Sequence, residues 1–177
     1  MGQDKAWLRL GNQTLLERSL ALAATVAAEV RIAGSAQMFS QFGEVVDDVY
    51  PGCGPLAGIH AALVNSAAEL NLMLAVDMPF VQSGFLEYLL SVARENRAWV
   101  TLPRAAGRWQ PLCAVYRRAF AAVAEAALRK GNNRVDALFA QVETHVIPEE
   151  EFSRRGFPVA MFRNLNTPED FDTASAL

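Results

Sequence analysis

Asp77 follows directly on the most apolar run of the chain, Leu70 to Val76, which is interrupted only by Asn71. A short continuous apolar stretch reads as a strand buried on both faces of a parallel sheet, with Asp77 at its carboxyl end. A carboxylate in that position is costly unless something pairs with it. A hard cation carrying phosphate oxygens is a natural partner, because Mg²⁺ takes one or two carboxylates and completes its shell from phosphates and water. A structural reading competes with this one: Asp ahead of Met78 and Pro79 is also ordinary helix-start chemistry.

Other groups of residues carry weaker chemical signals, each with a bland counterpart. The run Gly52-Cys53-Gly54-Pro55-Leu56-Ala57-Gly58 permits close backbone approach to a ligand, and the helix after it offers unpaired N–H donors. A tight turn that needs glycine explains the same residues. Lys5, beside Asp4, can hold a phosphate as a point charge or serve as a solvated surface lysine. Arg108-Trp109-Gln110-Pro111 combines a guanidinium, an indole and an amide suited to a planar or phosphorylated ligand, or forms a surface hairpin with a packed Trp. Asn164 and Asn166 place two amides ahead of a helix start, where capping explains Asn166 or Thr167 better than Asn164. His60 and His145 are isolated and at no metal-ligand spacing. Cys53 has no basic neighbour in sequence to activate it.

The elements that position these residues alternate between helix and strand. Thr14 and Glu17 fit a capping box, and Leu16, Leu20, Ala23 and Ala27 follow at helical spacing. Val30 to Ala33 reads as a strand, a polar helix-like stretch runs to Phe39, and Val45-Val46 is a second short strand. Helices are expected over Leu56–Asn65, Gly84–Arg94 and Ala119–Arg129, with a shorter one from Val135. Strands are expected over Leu70–Val76, Trp99–Leu102 and Leu112–Tyr116. Gly131 is a plausible C-cap, and Thr167-Pro168 opens a final helix. The alternation predicts an α/β fold with a doubly wound, mostly parallel sheet, in which ligands gather outside the carboxyl ends of the strands.

Composition bounds the function. The 177 residues suit one domain, and 52% hydrophobic with 20% charged residues describes a chain that folds. A net charge of −3 gives no basic footprint for nucleic acid. Cys53 and Cys113 form no disulfide framework, no apolar run reaches the length of a membrane span, and the first residues are too polar for a signal peptide. A cytoplasmic protein with small-molecule ligands is expected, without nucleic acid or membrane.

Met1 to Lys5, Pro51 to Ile59, Asp77 to Phe80, Gln110 to Arg117 and Asn164 to Asp170 together resemble one family in order and spacing, over nearly the whole chain. Each fragment is weakly specific and the set in register is strong. It is similar to the molybdenum cofactor guanylyltransferases, the MobA-like nucleotidyltransferases. The resemblance implies a single nucleotidyltransferase domain over residues 1–177 with a Rossmann-like fold. It implies Mg²⁺-dependent joining of GMP from GTP to molybdopterin with release of pyrophosphate, and transient contact with molybdoenzyme maturation proteins. Lys5 and Asp77 would be catalytic, with Asp77 holding the metal. Lys5, Asp48, Gly54, Pro55 and Leu56 would bind the nucleotide, and Gln110, Asn164 and Asn166 would face the molybdopterin. Ala33 stands where some relatives carry a nucleotide-binding Asn.

In that family the opening motif is preceded by a buried strand and a Gly-rich phosphate loop, which the resemblance places ahead of Met1. That strand belongs in the middle of the sheet, so a slot is expected beside the strand that ends at Asp77. A chain without strand and loop is expected to pack loosely and to lack transferase activity. Two further readings stay open: a related cytidylyl- or sugar-phosphate nucleotidyltransferase, and a non-catalytic nucleotide-binding module.

Overall fold

Thr14 starts the first helix in the manner its sequence predicts. Its Oγ1 accepts the Glu17 N–H at 3.1 Å, and the Glu17 carboxylate accepts the Thr14 N–H at 2.8 Å. The computed structural model describes residues 5–165. A short hairpin, β1 (Arg9–Leu10) and β2 (Gln13–Thr14), leads into α1 (Leu15–Ala24). The helix ends before Ala27, because the Thr25 hydroxyl bonds back to the Leu22 carbonyl at 2.6 Å and β-branched Val26 follows. β3 (Arg31–Ala33), α2 (Ala36–Phe39) and β4 (Glu44–Val46) come next, with β3 parallel to β4.

α3 (Pro55–Val64) carries Pro at its first turn, where no N–H is missed. β5 (Leu70–Leu74) and α4 (Ser83–Glu95) follow. β6 (Val100–Ala105) turns through Ala106 and Gly107 into β7 (Arg108–Trp109), and β8 (Cys113–Arg117) leads to α5 (Phe120–Arg129). β9 (Thr144–Ile147) and α6 (Glu149–Arg154) complete the regular elements among the described residues. Neither of these two is anticipated by the sequence pattern. The segment after Val135 is one 3₁₀ turn, Asp136–Leu138, rather than an α-helix. The helix expected from Thr167 lies outside the described residues.

The main sheet runs β5-β8-β6 with β9 on the other edge of β6. β5 and β6 are both antiparallel to β8, β9 is parallel to β6 and the short β7 is antiparallel to it, so β7 and β8 run against β5, β6 and β9. Successive residues of β8 feed opposite faces. Ala114 and Tyr116 pack with Leu56, Ile59 and Leu63 of α3 and Phe120 and Ala124 of α5. Cys113 and Val115 pack with Phe85, Leu86 and Leu89 of α4 and Phe152 of α6. Helices on both faces make the fold doubly wound, as expected. Among the described residues no helix is long and apolar enough to cross a membrane.

The sheet is not continuous. β3 pairs with β4 and β5 pairs with β8, but β3 and β5 do not pair with each other. A cavity of about 1020 Å³ lies between them, walled by Val30 to Ala33, by Leu70 to Asp77, by Leu16, Leu20 and Ala23 of α1, and by Ile59 and Ala62 of α3.

Candidate active site

β5 delivers Asp77 to the carboxyl edge of the sheet, three residues past Leu74. The helix-cap reading fails, because α4 starts only at Ser83 with Gln82 in the cap position. The Asp77 carboxylate instead meets Lys5, whose Nζ lies 3.1 Å from Asp77 Oδ2. The lysine side chain is 41% exposed and the aspartate 18%. The backbone here is held from two sides. The Leu165 N–H donates to the Asp77 carbonyl at 3.0 Å, and the Ser19 hydroxyl reaches the Val76 carbonyl at 3.5 Å. Leu165 is fully buried with Leu10 and Leu15, which fixes the segment carrying Asn164 against this turn. The Asn164 Oδ1 atom is buried without a hydrogen-bond partner.

Asp48 comes to the same cavity from β4. Its neighbour Asp47 is spent structurally, accepting the Ala36 N–H at 2.9 Å at the start of α2. Asp48 Oδ1 is buried and unpartnered. Burial, with a smaller push from the Asp47 charge, holds its carboxyl above the usual carboxylate range. An unsatisfied buried oxygen facing a cavity is a ready acceptor for a ligand N–H or O–H.

Gly54 and Pro55 line the cavity and start α3. Gly54 has φ 66° and ψ −156°, a region essentially reserved for glycine, and a Cβ there would meet nothing within 4 Å. The turn therefore demands glycine for its backbone rather than for space. Gly58 lies one turn on, against Ala33 and Asp48, where a Cβ would stand 3.6 and 3.8 Å from their side chains. Leu56 is fully buried in the core under α3, so its main-chain N–H is what it can offer a ligand.

Gln110 reaches the same edge by topology. β8 is antiparallel to β5, with Cys113 opposite Leu74, so the turn before β8 sits at the carboxyl end of β5. The Ala75 N–H donates to the Leu112 carbonyl at 2.7 Å, and Leu112 lines the cavity. Trp109 follows the bland reading: its ring packs on Phe139 at 5.5 Å between centroids, with the Arg104 guanidinium 5.9 Å above it.

The structure thus gathers Asp48, Gly54, Pro55 and Asp77 around one cavity, with Lys5 paired to Asp77 and Gln110 and Asn164 nearby. Leu56 belongs to the core, and Asn166 lies outside the described residues. Sequence reasoning missed Ser19 and Leu165, which hold the Asp77 turn through backbone contacts that leave no mark on residue type. It also missed Arg18, whose Nε is buried without a partner beside a smaller cavity of about 200 Å³ shared with Met78 and Pro79. His60 is 3% exposed and packs edge-on to Tyr50, a structural role. Burial pushes the Cys113 thiol up to about 12, far from nucleophilic service.

Residues 1–146 match the model of the MobA-like NTP transferase domain. A probable molybdenum cofactor guanylyltransferase of Pelotomaculum thermopropionicum is 33% identical over 100% of this chain and 86% of its own length. One from Opitutus terrae is 36% identical over 97% and 87%. The crystal structure of molybdopterin-guanine dinucleotide biosynthesis protein A from Archaeoglobus fulgidus superposes with a TM-score of 0.87 at 25% identity, covering 99% of this chain and 90% of that one. A Thermus thermophilus 2-C-methyl-D-erythritol 4-phosphate cytidylyltransferase, at 23% identity and a TM-score of 0.71, shares the fold. On the strength of these matches the chain belongs to the MobA-like NTP transferase family and is a nucleotidyltransferase.

Proposed function

We propose that this chain transfers GMP from GTP to molybdopterin, with Mg²⁺ as its metal and pyrophosphate as its second product. The observation that carries the proposal is the Lys5–Asp77 pair at the carboxyl end of β5, 3.1 Å apart, with Asp77 on the wall of the large cavity. The names of the relatives supply the substrates; the site supplies a chemistry that suits them.

A phosphate oxygen of molybdopterin attacks the α-phosphorus of GTP and forms a new P–O bond. The bond from that phosphorus to the oxygen bridging to the β-phosphate breaks, and its electron pair leaves with pyrophosphate. Two polyanions must be brought together, so catalysis rests on positioning and charge neutralisation rather than on a covalent protein intermediate. Asp77 is the residue that would hold Mg²⁺, which when bound would offset the negative charge of the phosphates. The donor set fits that ion. A single carboxylate oxygen donor suits a hard cation that would complete its shell from phosphate oxygens and water. Lys5 contributes a second, mobile positive charge.

The nucleoside lies along α3 in this reading. Gly54 and Pro55 let the guanine approach the backbone, the Leu56 N–H offers a donor, and the unpaired Asp48 oxygen accepts from the nucleoside. Gln110, Asn164 and Asn166 face the molybdopterin. Transfer of labelled GMP, followed with and without molybdopterin and Mg²⁺, tests the assignment. Asp77→Ala is expected to cut the rate by about 10²–10³ while the protein still unfolds cooperatively. GTP should compete better than CTP or ATP. Near-normal transfer by Asp77→Ala removes Asp77 from the mechanism, and tighter CTP binding moves the reading to a cytidylyl donor.

A further inference from the structure

The Lys5 ammonium sits 3.1 Å from Oδ2 of Asp77, on the one carboxylate through which this site would take a metal. Both cations cannot share that position without like-charge repulsion at close range. The two side chains differ in exposure and in reach. Asp77 is fixed by the Leu165 N–H on its own carbonyl and by Ser19 on the carbonyl before it. Lys5 projects from a short turn, Lys5–Trp7, with its side chain more than twice as exposed as that of Asp77. Its long unbranched stem lets the ammonium swing while the carboxylate stays.

Resting on the metal-binding role proposed for Asp77, we infer that Lys5 is a resident counter-ion that a divalent cation must displace, so that the site takes its metal together with a triphosphate and discriminates against the free ion. Mg²⁺ gives up its water reluctantly and needs more oxygens than one carboxylate provides. A free ion would have to displace the ammonium and gain one ligand in return. A metal that arrives on a triphosphate brings its other ligands with it. It also brings the displaced ammonium a new partner, a phosphate oxygen, at the same moment. Lys5 thereby works twice, first against free metal and then for the nucleotide.

The inference gives crossed effects that a merely structural lysine would not produce. Mn²⁺ alone and Mn²⁺ with GTP are the probes, and bound Mn²⁺ is read by electron paramagnetic resonance. Lys5→Met should bind Mn²⁺ alone about fivefold more tightly than the natural protein. The same variant should bind the Mn²⁺–GTP complex more weakly. Lys5→Arg, which keeps the charge, should leave the affinity for Mn²⁺ alone unchanged and shows that the effect is charge rather than folding. Adding Asp77→Asn to Lys5→Met should abolish the gain. Equal or weaker binding of Mn²⁺ alone by a folded Lys5→Met overturns the inference, and so does a fall in both affinities together. If Asp77→Asn still loses Mn²⁺–GTP in that case, the proposed function stands without it. If Asp77→Asn binds Mn²⁺–GTP like the natural protein, the metal role of Asp77 fails first.

Discussion

β5 and β8 are neighbours in one ladder, paired residue for residue from Leu70–Arg117 to Leu74–Cys113. Yet four of the five residues of β8 are buried and none of β5 is, although β5 is the more apolar by sequence. The difference lies in what stands on the far edge. β8 has β6 on its other side, and the helices α3, α5, α4 and α6 close over both faces. β5 faces the cavity that separates it from β3. The molecule is thus a packed block, β8-β6-β9 with its helices, beside an open flank of α1, β3, β4 and the outer edge of β5. The residues proposed for the chemistry collect on the seam. Lys5 comes from the flank, Asp77 from the edge of the block, and Asp48 from across the cavity.

The sharpest break in this comparison is core truncation on either side of it. Leu102, fully buried in the block, should cost about 2–5 kcal/mol when replaced by Ala. Leu20, on the cavity wall, already lacks neighbours on one side, and its replacement by Ala should cost under about 1 kcal/mol. Urea unfolding of the two variants measures the difference. Equal losses would mean that the flank is packed as tightly as the block.

Asp48→Asn sharpens the comparison at the site. Its folded carboxyl titrates above its ordinary value, so the ionised form is disfavoured by the fold, and more so as pH rises through that raised value. Removing the charge should raise the melting temperature at neutral pH while weakening GTP binding by about tenfold or more. A variant both less stable and unchanged in binding would make Asp48 structural.

His60 gives the smallest effect and lies inside the block. Burial lowers its folded pKa below the ordinary 6.5, against a smaller upward pull from Glu125, with Arg129 adding to the lowering. Its packing is intact while the ring is neutral, and its contribution is lost as pH falls below about 6.5 through the folded value. Replacing it with Phe should flatten the decline of melting temperature in that acid range. An unchanged slope would place the acid sensitivity elsewhere.

Local signals in the sequence were legible where one residue decides one contact. Thr14 with Glu17 marks the start of α1, Pro55 marks α3, and the apolar run marks β5 with Asp77 at its end. The reversal of β8 was hidden because it depends on the tight turn after β6, where Ala106 at φ 48° and Gly107 at φ 73° both adopt left-handed backbone. Ala in the first of those positions carries none of the signal that Asn-Gly would give. β9 and α6 are short and packed into place by the sheet, so tertiary burial rather than periodicity defines them. The Lys5–Asp77 contact joins residues 72 apart in sequence, and only the fold brings them together. Helical spacing puts Leu20 on the inward stripe of α1, where it packs against the cluster of Leu16 and Ile32, but it does not reveal that the same side chain also borders a cavity.

The most direct test of the account is a crystal structure of the protein with Mn²⁺ and GTP, the metal being located by its anomalous signal. The account predicts Mn²⁺ at roughly 2.0–2.3 Å from an Asp77 carboxylate oxygen, the triphosphate on that metal, and the Lys5 ammonium moved from Asp77 to a phosphate oxygen. Metal and nucleotide bound away from the carboxyl end of β5, with Lys5 still 3.1 Å from Asp77, would contradict it.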